Sequence, residues 1–96
     1  MERTAAIAIL QNHRMQLAAM GARSLAVFGS VARDEARPDS DVDLLVDLEP
    51  PVTFDRYMDL KFFLENCLGR SVDLVTVRSL KPLLRDRVVK EAIYVS

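Results

Sequence analysis

Little in this chain points to redox, zinc or membrane chemistry. Cys67 is the only cysteine among 96 residues, so an internal disulfide framework is excluded and a reducing compartment suits the chain. His13 is the only histidine, which leaves no Cys/His set for zinc. No apolar run approaches the roughly 20 residues of a membrane-spanning helix. The opening Met1-Glu2-Arg3-Thr4 does not resemble a secretion signal, so the cytoplasm is the expected location and no membrane partner is expected. Neither sign of charge dominates: 13 Lys and Arg oppose 14 Asp and Glu, for a net charge of −1. That balance excludes a polybasic binder, and direct nucleic-acid binding is not expected; a local patch in the C-terminal third is the one candidate. Internal repeats and low-complexity tracts are absent.

What remains is a small globular chain. Half the residues are hydrophobic and 28% are charged, enough apolar surface for a core. Residues 1–96 are expected to form a single domain. Thr4 is the candidate cap of a first helix running to about Met20, with Ala6, Ile9, Leu10, His13, Leu17 and Met20 on its inner face. Gly21 ends it. Ser24 to Phe28 reads as a buried strand, and Gly29-Ser30 turns it into a short helix over residues 31–35, with Ser30 as N-cap. Arg37-Pro38-Asp39 is a turn. A second strand, Val42 to Leu48, presents Val42, Leu44, Val46 and Leu48 to the helices; Asp41, Asp43, Leu45 and Asp47 face the other way. After Pro50-Pro51, Thr53 caps a helix to Leu68 with a stripe of Tyr57, Leu60, Leu64 and Leu68, stopped by Gly69. Ser71 to Val77 is a third strand. Leu80 to Glu91 is a last helix with Ser79 as candidate cap, and Ile93-Tyr94-Val95 is a terminal strand or apolar tail. Alternating strands and helices place the fold in the α/β or α+β class, with a sheet of three to four strands.

The chemistry concentrates in two short segments. In Ser40-Asp41-Val42-Asp43, the two carboxylates share one face at the start of a buried strand. Two acids that close repel unless neutralised, and hard oxygen donors suit magnesium or manganese. In Phe28-Gly29-Ser30, the glycine allows close backbone approach, and the serine hydroxyl with free N–H groups suits phosphate oxygens. An Asp-x-Asp pair or a Gly-Ser step alone is common in solvated turns. Their order here, between two apolar strands, points to metal-dependent phosphoryl chemistry on a nucleotide.

The segments Phe28-Gly29-Ser30-Val31-Ala32-Arg33 and Ser40-Asp41-Val42-Asp43-Leu44-Leu45-Val46 resemble the nucleotidyltransferase signature of the polymerase-β superfamily. The whole chain is similar to its minimal prokaryotic branch, the MNT domains, including the closing segments Leu80-Lys81-Pro82-Leu83-Leu84-Arg85 and Glu91-Ala92-Ile93-Tyr94-Val95. The resemblance implies a mixed sheet flanked by helices with the active site at one sheet edge. It implies that Gly29, Ser30, Arg33 and Ser40 attend the nucleotide, and that Asp41, Asp43 and Asp73 bind two Mg2+ (or Mn2+) ions. Asp73 is also the one carboxylate in an otherwise apolar strand, and the candidate acceptor of the hydroxyl proton. One position departs from the pattern. Asp34 stands where many relatives carry glycine, which adds negative charge near the triphosphate and predicts a different loop path.

In that branch the usual neighbour is a HEPN ribonuclease toxin. The resemblance implies an antitoxin that transfers AMP from ATP to a tyrosine of the toxin. Two alternatives belong to other classes: an antitoxin that neutralises its partner by binding alone, and a stand-alone transferase for a small molecule or RNA. Phe54, Tyr57, Phe62 and Phe63 encircle more than one helix face, more than one core can absorb, so a homo- or hetero-oligomeric interface is a further expectation. His13 and Cys67 are expected to pack rather than react.

Overall fold

The computed structural model describes residues 1–96. The chain runs α1 (Arg3–Asn12), α2 (Arg14–Ala19), β1 (Ala22–Phe28), α3 (Gly29–Ala32), β2 (Val42–Leu48), α4 (Phe54–Leu68), β3 (Val72–Thr76), a 3₁₀ turn (Val77–Ser79), α5 (Pro82–Glu91) and β4 (Ile93–Tyr94). The sheet order is β3-β2-β1-β4. β1 is antiparallel to β2 and β4, and β2 is parallel to β3, so the sheet is mixed as expected. The parallel step needs a crossover, which α4 provides.

One apolar core joins the sheet to the helices. Leu25 and Val27 of β1, Val42, Leu44 and Val46 of β2, and Leu74 of β3 meet Ala6, Leu10 and Leu17 from α1 and α2 and Leu60 and Leu64 from α4. Every second residue of β2 enters this core, as the period of a strand requires. On the other side, Ala26 and Leu45 pair across β1 and β2 and are buried outside the main cluster.

β1 starts two residues earlier than expected, at Ala22, β3 is shorter at both ends, and α3 ends at Ala32; four helix boundaries differ for a local reason. The first helix breaks at His13: its ring Nδ1 donates to the Ile9 carbonyl at 2.8 Å, while its backbone N–H goes to Leu10 instead, at 3.1 Å. Glu2, not Thr4, is the N-cap of α1, and it makes no side-chain capping bond. α3 begins at Gly29 itself, so Ser30 lies inside the turn rather than capping it. α5 begins at Pro82 after Lys81, and the Ser79 hydroxyl donates to the Thr76 carbonyl instead of capping. α4 matches its reading, with the Thr53 hydroxyl accepting from the Arg56 N–H at 3.2 Å and Gly69 closing it at φ 64°.

Candidate active site

The site is built where β1 ends, α3 turns, and β2 and β3 begin. β1 must reverse sharply after Phe28, and Gly29 does this in the left-handed region at φ 69°. A Cβ on Gly29 would lie 2.0 Å from Asp43 Oδ2, so the glycine backbone and the Asp43 carboxylate are in intimate contact. Side-chain absence here is what lets the Gly-Ser turn sit directly on the Asp-x-Asp strand.

Asp43 and Asp73 are register partners on parallel neighbouring strands, which places them side by side on one sheet face. Asp41 precedes β2 by one residue and is exposed, as is Asp73, whereas Asp43 is half-buried. Two tethers fix β3 against its neighbours. The Val72 N–H donates to Glu65 Oε2 of α4 at 3.0 Å, and the Tyr57 hydroxyl donates to the Leu74 carbonyl. The register that brings Asp73 beside Asp43 therefore depends on α4.

Electrostatics mark Asp43. Burial raises its pKa above the ordinary carboxylate range, and the charges of Asp73 and Asp41 push it further; Arg33 opposes, and Glu91 adds to the rise. The ion pairs of the chain involve Asp47, Glu35 and Glu91, and none involves Asp41, Asp43 or Asp73. Negative charge thus accumulates at this edge, offset only in part by Arg33, which is itself paired with Glu35 and Glu91. The donor set, carboxylate oxygen with no sulfur or imidazole, fits a hard divalent cation. The three acids are not closed into a cage: no group of three acidic, His or Cys side chains is gathered to hold an ion as it stands.

The nucleotide-side residues divide. Arg33 is half-exposed and forms ion pairs with Glu35 at 3.2 Å and Glu91 at 3.0 Å, contacts that raise its pKa. Ser40 closes the turn before β2, its hydroxyl accepting from the Arg37 N–H at 3.0 Å. Asp34 takes the left-handed conformation a glycine would take, φ 60°, and its carboxylate accepts from the Arg3 N–H at 3.3 Å, toward α1. Asp is among the side chains that tolerate this region.

One residue went unassigned in the sequence. Glu91, the last residue of α5, accepts the Gly29 N–H at 3.1 Å on Oε1 and the Arg33 guanidinium at 3.0 Å on Oε2. A signal existed: a carboxylate at a helix C-terminus opposes the macrodipole and calls for a cationic or N–H partner elsewhere. The largest concavity, about 420 Å³, is lined by Val52, Thr53, Phe54, Tyr57, Leu74, Thr76 and Ser79 and contains none of these acids. It lies on the helix side of β3, so the chemistry sits on an open edge instead.

Residues 12–95 match the family model of the nucleotidyltransferase domain. The protein adenylyltransferase MntA of Thermococcus cleftensis is 43% identical over 88 residues, covering 91% of this chain and 89% of its own. A solved structure described as a minimal nucleotidyltransferase superposes with a TM-score of 0.86 at 45% identity, covering 97% of this chain and 95% of that one. The MNT antitoxin solved with a tri-AMPylated HEPN toxin of Shewanella oneidensis shares the fold, with a TM-score of 0.67 at 22% identity and coverage of 94% and 71%. A carboxylate-bearing strand pair set against a Gly-Ser turn, in a chain so matched, belongs to the nucleotidyltransferase family, in its minimal MNT branch.

Proposed function

We propose that this protein is a metal-dependent protein adenylyltransferase that moves AMP from ATP to a tyrosine hydroxyl of a HEPN ribonuclease toxin, and so acts as its antitoxin. The observation that carries the reading is the side-by-side placement of Asp43 and Asp73, with Asp43 set against Gly29 and destabilised as an anion by burial and by its neighbours. The relative named protein adenylyltransferase MntA supports AMP as the transferred group, and the tri-AMPylated toxin complex supports a HEPN acceptor.

Asp41, Asp43 and Asp73 would hold two Mg2+ ions, with Mn2+ as a substitute. Such ions supply charge neutralisation on the phosphates and acidify the acceptor hydroxyl. The Gly29 and Ser30 backbone and the Arg33 guanidinium hold the β- and γ-phosphates, turning binding energy into alignment for in-line attack. The acceptor oxygen forms its bond to the α-phosphorus as the bond to the β-phosphate bridging oxygen breaks, and pyrophosphate departs. Asp73, exposed on the same face, accepts the hydroxyl proton. The phosphodiester-linked AMP adds charge and bulk to the toxin.

Mass spectrometry of a HEPN partner co-expressed with this protein tests the reading. The expected result is one or more AMP adducts on tyrosine with the wild type, and none with Asp41→Asn/Asp43→Asn. A tight complex with an unmodified partner would replace catalysis by simple occlusion.

A further inference from the structure

The Gly29 N–H and the Arg33 guanidinium, the two groups best suited to phosphate oxygens, are already taken. Both are held by the Glu91 carboxylate, one on each oxygen, at 3.1 and 3.0 Å. A carboxylate bridging an N–H and a guanidinium satisfies the same donors that a phosphate would.

The segment that carries Glu91 is unusual. α5 buries none of its side chains, and Leu83 is 94% exposed. Immediately after it, β4 is firmly held: Ile93 and Tyr94 pair with β1, and the Val95 N–H donates to the Leu25 carbonyl at 2.9 Å. Apart from Glu91, the side-chain tie of α5 to the rest of the chain is a 3.5 Å contact from Arg85 to the Val77 carbonyl. α5 is therefore a helix with one strong polar anchor, hinged on an anchored strand. Segments with so few buried contacts open at small free-energy cost.

We propose that Glu91 is an internal competitor for the phosphate donors: nucleotide binding displaces its carboxylate from Gly29 and Arg33, and thereby frees α5. This rests on the nucleotide reading above and adds a coupling to it. The fraction of molecules with Glu91 seated sets the apparent affinity, because only the unseated fraction can accept a triphosphate.

Calorimetric titration of AMP-PNP with Mg2+ into the wild type, Glu91→Gln and Glu35→Gln tests this. Glu35 pairs with the same Arg33 from an exposed position without reaching Gly29, so E35Q controls for loss of one nearby negative charge. E91Q is expected to bind roughly three- to tenfold tighter than the wild type, as removal of a mostly seated competitor requires, and E35Q much less so. In the wild type, saturating AMP-PNP is expected to raise amide hydrogen exchange in α5. Wild-type binding left unchanged by E91Q overturns the competitor while sparing the nucleotide reading, as does equal tightening by E35Q. Absence of binding to all three proteins overturns both. If E91Q does not fold, the wild-type exchange experiment decides alone: unaltered α5 exchange at saturation overturns the proposal.

Discussion

At the scale of single residues, the site trades stability for charge. Asp43 has its pKa raised by burial and by Asp73 and Asp41, so its ionised form costs the folded state. The sign follows from linkage. A group with a raised folded pKa gives its full stability below its unfolded pKa, and that stability is lost as pH rises through the folded value. Asp43→Asn should therefore be more stable than the wild type at neutral pH, and the advantage should vanish in acid below the ordinary carboxylate range; thermal melts across pH measure it. Magnesium should raise the melting temperature of the wild type at neutral pH and leave Asp41→Asn/Asp43→Asn unmoved, a test by thermal shift that needs no substrate. Gly29→Ala meets both a strained φ of 69° and a contact 2.0 Å from Asp43 Oδ2. It should destabilise the fold by about 1–3 kcal/mol, the usual cost of a strained backbone position, visible in urea unfolding.

Elements carry the next level. α4 is the element on which the register of β3 depends, through Leu60 and Leu64 in the core, the Thr53 cap, and the Glu65 bond to Val72. Leu64→Ala, at a fully buried position, should cost about 2–5 kcal/mol. Thr53→Ala should cost about 1 kcal/mol through loss of the cap. If α4 positions Asp73 as argued, Glu65→Gln should lower transfer activity more than its small stability loss predicts; parallel activity and unfolding measurements separate the two. The elements were largely legible in the sequence. β2 was bounded correctly because Val42, Leu44, Val46 and Leu48 recur at every second position with Asp43 and Asp47 between them, and α4 because Thr53 and Gly69 punctuate it. The break at His13 was not legible, because it arises from a side chain competing for its own helix's carbonyl within an otherwise regular apolar spacing.

For the molecule as a whole, the decisive feature is the sheet order. β4, only two residues long, covers the edge of β1 that would otherwise stand open, and seats Val95 in the core. Removal of residues 93–96 should lower stability and promote association through the exposed β1 edge; light scattering and thermal melts together report both. Phe54 and Phe62 are left on the surface, as the surplus of aromatic residues on α4 suggested, together with Leu83 and Leu84 of α5. No helix is long and apolar enough to cross a membrane. The sequence by itself determined β2, the glycine turn after β1 and the face of β2 on which Asp43 lies, because strand periodicity and backbone freedom are local properties written in neighbouring residues. Only the tertiary structure decided that Asp73 lies beside Asp43 and that Glu91 reaches back to Gly29 and Arg33. Those partners are 30, 62 and 58 residues apart in the chain, and such pairings are set by register and packing, which no local pattern encodes.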